Sequence, residues 1–196
     1  MKFRAVLAFA AAAVLAGCGL NSVPTAEENA KAKWADVQAA YQRRMDSVPG
    51  LVETVKGSAA SEGKILTDVT NARAKATSVQ VSANDLTDPA KMQAFQAAQQ
   101  QFNGSIGRLL ASVEAYPELK SQANFTKFMD QLEGSNNRIT IAIRDYNNAV
   151  QAYNTRIRTF PDAIGAKVFY GSKPMVPYAA KAGAENVPDI SFGNSN

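Results

Sequence analysis

Apolar positions along the chain recur at steps of three and four, the spacing that lines one face of a helix. A first series runs through Trp34, Val37, Tyr41, Met45, Val48, Val52, Val55, Ala59, Leu66, Val69 and Ala76. Its start is marked by Thr25-Ala26-Glu27-Glu28, a capping-box pattern in which the threonine and the glutamate three residues on satisfy each other's backbone donors. Pro49-Gly50 interrupts the series without shifting its phase. Proline lacks a backbone donor and crowds the carbonyl four residues earlier, so a kink or short break is predicted across 48–50.

A second series, Met92, Phe95, Phe102, Ile106, Leu109 and Val113, opens behind Asp88-Pro89 and stops at Tyr116-Pro117. Asp88 suits an N-cap, because the proline after it has no N–H to leave unsatisfied. The third series passes through Phe125, Met129, Leu132, Asn136, Ile139, Ile143, Tyr146, Val150, Tyr153, Ile157 and Phe160 in alternating steps of four and three, the seam of a bundle, and ends at Pro161. No period of two persists, Val79 and Val81 being its only trace. The predicted fold is therefore all-α. Three long helical segments, four if Pro49 breaks the first, form an antiparallel up-and-down bundle over 25–170. Beyond the short apolar piece from Ile164 to Tyr170, the tail 171–196 carries Gly171, Pro174, Pro177 and Pro188 and is expected to be extended or loosely packed.

Ahead of the bundle the pattern changes character. Lys2 and Arg4 precede an apolar run from Ala5 to Ala16, and Leu15-Ala16-Gly17-Cys18 closes it. A basic start, a short apolar stretch and a small-residue site form an export signal. The run is also too short to span, since a helix needs about 20 apolar residues to cross the hydrocarbon core. The final tetrad resembles the lipobox, in which the cysteine is diacylated and becomes the first residue of the mature chain. Residues 1–17 are then a leader, Cys18 the lipidation site and 18–24 a polar tether. Cys18 is the one cysteine in the sequence, so no intrachain disulfide is available. Gly19 follows it where an aspartate would resemble the inner-membrane retention signal of enteric bacteria. In a host with two membranes the expectation is thus the outer membrane, facing the periplasm.

The leader takes Lys2 and Arg4 with it, so the 21 basic residues fall to 19 against 17 acidic, a mature net charge of +2. That balance and the absence of a basic block interleaved with aromatics argue against nucleic-acid binding. The sequence contains no histidine, which removes Ser-His-Asp and Cys-His nucleophiles and the usual zinc and di-iron ligand sets. Glu114 and Glu118 imitate a carboxylate pair, but Pro117 interrupts the helix that would align them. The expectation is a protein that is not an enzyme and has neither cofactor nor metal.

Several blocks carry a resemblance. Trp34-Ala35-Asp36-Val37, Tyr41-Gln42-Arg43-Arg44-Met45-Asp46 and Pro49 to Gly57 resemble the first signature of the LemA family of bacterial envelope proteins. Val113 to Lys120, Leu132 to Ile139, Arg144 to Val150, Tyr153-Asn154 and Phe160-Pro161 are similar to its later blocks, in the same order. Gly50 and Asn136 depart from the pattern, standing where asparagine and often glutamate occur. The resemblance implies a helical bundle outside the inner membrane and no established reaction.

Candidate surfaces follow from position. Arg43, Arg44, Asp46 and Glu53 flank the predicted bend, and Tyr116 and Glu118 a helix end, where backbone groups and mixed charge become accessible. Tyr146-Asn147 and Tyr153-Asn154 repeat at seven residues and so share a face. Core packing with each hydroxyl bonded once is their plainer reading, and a ligand groove the alternative. Asn136 is expected in the seam as a register-setting amide. The sequence thus points to a lipid-anchored adaptor or scaffold for envelope proteins, with a binding module for a small ligand or cell-wall fragment as the alternative.

Overall fold

The computed structural model describes residues 2–57 and 63–179, with side chains from residue 21 onward. Its helices are α1 (Lys2–Lys56), α2 (Gly63–Ser78), α3 (Pro89–Val113), α4 (Pro117–Lys120), α5 (Ala123–Arg156) and α6 (Asp162–Gly165). A 3₁₀ turn (Ala83–Asp85) precedes α3, and α6 runs directly into a π-helical turn (Ala166–Tyr170). No strand occurs among the described residues, and the all-α expectation holds.

Two helix pairs make the bundle. α1 and α5 pack along much of their length. They run antiparallel, as the Trp34 ring lies 5.1 Å from that of Tyr146 while Leu51 and Phe128 line one cleft. Small buried side chains, Ala30 and Ala40 on α1 and Ser135, Ala142 and Ala149 on α5, leave room for this approach. α2 and α3 form the second pair. Trp34 ties the two pairs together: its ring lies 5.3 Å from Phe95 of α3, and its indole N–H donates to the Val81 carbonyl at 2.7 Å.

Of the kink or short break expected across 48–50, the break does not occur. α1 continues through Pro49 and ends at Lys56, and α2 begins at Gly63. A proline at 49 deprives the Met45 carbonyl of its intrahelical donor. That carbonyl accepts instead from Arg73 Nε of α2, at 2.8 Å. The lost helix bond is thus replaced from a neighbouring helix.

The capping box expected to start the helix at Thr25 is also corrected. Residues 19–24 are helical, and the Thr25 hydroxyl donates back to the Asn21 carbonyl at 2.7 Å. Asp88 does cap α3, accepting from Ala90 N at 2.9 Å and Lys91 N at 3.3 Å, with Pro89 as the first helical residue.

The seam of α5 is shifted from the predicted one. Its buried stripe runs Phe125, Phe128, Leu132, Ser135, Ile139, Ala142, Tyr146, Ala149, Val150 and Tyr153. Asn136 is exposed, Met129 is 37% exposed, and Ser135 takes the seam position assigned to the amide. The helix ends at Arg156 rather than at Pro161. Of the tail, 171–179 form neither helix nor strand and begin at Gly171, which takes the left-handed conformation (φ 56°) suited to glycine at a helix end. Residues 180–196 lie outside the described residues.

Candidate functional site

The C-terminal segment is strapped to α5 by the two Tyr-Asn pairs. Asn154 donates to the Met175 carbonyl at 2.8 Å and accepts from the Met175 N–H at 2.9 Å. Asn147 repeats the pattern on Tyr178, at 3.0 and 2.8 Å. A side-chain amide presents one donor and one acceptor side by side, so each asparagine engages a backbone residue as a neighbouring strand would. Seven residues of helix advance about 10 Å, and three residues of extended chain cover about the same distance, which is why the two contacts keep register.

The tyrosines complete the strap. Tyr146 Oη donates to the Val176 carbonyl at 2.8 Å and Tyr153 Oη to that of Lys173 at 3.1 Å. Tyr41 of α1 shares a hydroxyl bond of 2.7 Å with Tyr178, and the Val176 N–H donates to the Leu86 carbonyl at 2.8 Å. Met175 is buried beneath them. Burial pushes the pKa values of the Tyr41, Tyr146, Tyr153 and Tyr178 hydroxyls above the ordinary tyrosine value. Tyr146, Asn147 and Tyr153, candidates for a ligand surface, therefore spend their polar atoms on the chain's own tail.

Arg44 corrects another candidate. It lies in the core at 7% exposure, its guanidinium 5.7 Å from the centre of the Phe102 ring, close enough for a cation–π contact. Its Nε is buried without a hydrogen-bond partner. Desolvation lowers its proton affinity, and the nearby Tyr41 and Tyr178 hydroxyls oppose that shift. Its role is within the fold.

Arg43 and Asp46, in contrast, do reach a surface. With Ser47 they form one wall of an open groove of about 710 Å³ between α1 and α5, and Lys127, Asp130 and Arg138 line the other. Both walls carry both signs of charge. The α5 contribution was missed because those residues fall between seam positions in the sequence and carry no motif. Glu53 lines an adjoining cleft of about 390 Å³ with Lys127 and Asn124. Tyr116 and Glu118 do not join the groove: Tyr116 is half-buried, and Glu118 is exposed at the start of α4. Cys18 and the residues 15–17 before it lie on the α1 path, outside the described side chains.

Among the described residues no group of three or more acidic, cysteine or histidine side chains is placed to hold a metal ion. No helix among them is long and apolar enough to cross a membrane.

The sequence model described as LemA family matches residues 33–192. Protein LemA of Metamycoplasma hominis is 27% identical over 63% of this chain. Magnetosome protein MamQ 2 of Paramagnetospirillum magneticum is 27% identical, and magnetosome protein MamQ of Magnetospirillum gryphiswaldense 26% identical, each over 72% of it. The matches span 52% of the first relative's length and 58% of the other two, so the chain covers little more than half of these relatives.

Proposed function

The chain belongs to the LemA family, and from that premise we propose that it is a lipid-anchored protein of the bacterial envelope that acts as an adaptor, binding other proteins rather than catalysing a reaction. The observation that carries this reading is Leu15-Ala16-Gly17-Cys18, a lipidation signal set directly in front of a helical mast. After cleavage the mature chain begins at Cys18, and its acyl chains hold it to the membrane. Each buried methylene contributes about 0.8 kcal/mol, so two or three chains anchor firmly where one does not.

The helical path of 19–24 turns the anchor into a spacer. Arg43 stands 25 residues along α1 from Cys18, so the charged groove sits about 40 Å from the acylated end at 1.5 Å per residue. Walls of mixed charge suit a polar protein partner, because complementary charges set register and on-rate. If the host has two membranes, Gly19 favours the outer one, with the groove in the periplasm.

Photo-crosslinking in living cells tests the proposal. Probes replacing Arg43 and Arg138, on opposite walls of the groove, are expected to give a discrete protein adduct that disappears when Cys18→Ala is added. A probe at Arg108, on the exposed side of α3, is expected to give none. Absence of a discrete adduct from both groove positions would overturn the adaptor reading.

A further inference from the structure

The corner after α5 exposes apolar side chains that no part of the described fold covers. Phe160 is 83% exposed, Ile164 57%, Val168 69% and Phe169 67%. Ile164 and Val168 are one helical turn apart on α6 and the π-helical turn and so share a side, with Phe160 exposed in the turn just before them. Contiguous apolar surface of this kind marks a site of association. From Arg156 to Lys173 the corner carries four basic residues and one acidic one, Asp162, which is paired with Arg156 at 3.4 Å. Arg158, Lys167 and Lys173 are exposed and have no acidic partner among the described residues.

The antiparallel register says where this corner stands. Trp34 lies against Tyr146, Glu27 is near enough to influence Tyr153, and α6 packs on α1. Continued by two turns, the pairing places α6 and the π-helical turn beside the start of the mature helix. Val23, fully buried there, is five residues from Cys18, about 8 Å along the helix axis. The apolar, basic corner and the acylated residue therefore occupy the same end of the bundle.

We infer that the corner of Phe160, Ile164, Val168 and Phe169 is a second membrane contact, a foot that inserts its apolar side chains at the interface of an anionic phospholipid bilayer while Arg158, Lys167 and Lys173 meet the headgroups. Apolar side chains bordered by cations are the composition of an interfacial anchor. The inference rests on the lipid anchor proposed above. With Cys18 in the bilayer and helix continuing from it, the foot is held at the surface, and two points of attachment fix the direction in which the groove faces.

The test uses the full-length protein purified from membranes. Acylation consumes the Cys18 thiol, so Val168→Cys supplies the single free thiol for a bimane probe, and Lys120→Cys supplies a control at the opposite end of the bundle. The labelled proteins are placed in vesicles of phosphatidylglycerol and phosphatidylcholine that contain lipids with a nitroxide on the acyl chain. Quenching is expected at 168 and not at 120. In vesicles lacking the quencher, Arg158→Glu and Lys167→Glu should each weaken association of the foot, seen as a red shift of the bimane emission at 168, with a loss of about fivefold per cation removed. Equal, low quenching at 168 and 120 overturns the foot. So does self-quenching at 168 that grows with protein density without quenching by lipid, which would place a second copy on this face. Labelling of the wild-type protein would show a free Cys18 thiol and overturn the anchor reading itself, with the lipid-held foot.

Discussion

Arg73→Ala removes the donor that compensates for Pro49, and its effect can be predicted from one carbonyl. The Met45 oxygen accepts from Arg73 Nε at 2.8 Å, and the residue four positions on has no N–H to offer. A hydrogen bond to a charged group contributes about 2 kcal/mol net, and its loss leaves a partly buried carbonyl unpaired. With a urea slope near 2 kcal/mol per molar, the unfolding midpoint should fall by about 1 M. In a Pro49→Ala background the new N–H at 49 can bond the same carbonyl, so removal of Arg73 should cost far less. The double-mutant cycle is expected to give a coupling of about 1–2 kcal/mol, measured by urea unfolding of the four proteins. Additivity within about 0.5 kcal/mol would show that Arg73 does not replace the missing helix bond and would refute the reasoning.

Asn154→Ala removes two bonds to Met175 and should ease local release of the strap by about 2 kcal/mol, so the Met175 amide should exchange about 30-fold faster, with unchanged exchange contradicting the strap. Arg44→Met is expected to match or exceed wild-type stability in thermal melts, because a buried cation with an unpartnered Nε gives way to apolar packing. Arg44→Ala leaves a cavity in its place and should cost about 2 kcal/mol or more, and equal losses in the two variants would contradict this account. Burial holds the Tyr41 and Tyr146 hydroxyls well above the ordinary value of 10.0, so the folded chain keeps these protons more tightly than the unfolded one. Their contribution is complete below about pH 10 and is lost as pH rises above it. Melting temperature should therefore decline from about pH 10 upward, less steeply in Tyr41→Phe, and an unchanged slope would exclude Tyr41 as a source.

Large apolar side chains and local caps made the helices legible in the sequence. Asp88-Pro89 set the start of α3 because both features act within one turn. The continuity of α1 through Pro49 was not legible: the bond that replaces the lost one comes from Arg73, a partner on another helix that no local pattern reveals. In α5 the seam slipped because Ser135, Ala142 and Ala149 are small, and the four-and-three count passed over them in favour of the larger Met129, Asn136 and Ile143.

The candidate site divided in the same way. The Tyr-Asn pairs stood out because amides beside seam tyrosines need partners, but those partners lie in a non-helical segment with no periodic signature. Arg43 and Asp46 were found from their place near a proline. Lys127, Asp130 and Arg138 meet them only through the antiparallel pairing of α1 with α5. Arg44 looked like its neighbour in sequence, yet one residue of helical rotation carries it into the core.

Intact mass analysis of the protein extracted from membranes, with fragmentation of its N-terminal peptide, tests the proposed anchor most directly. A chain that begins at Cys18, with a diacylglyceryl group on its sulfur, is the predicted result. A chain that still begins at Met1, or a mature N-terminus with an unmodified Cys18 thiol, would contradict it.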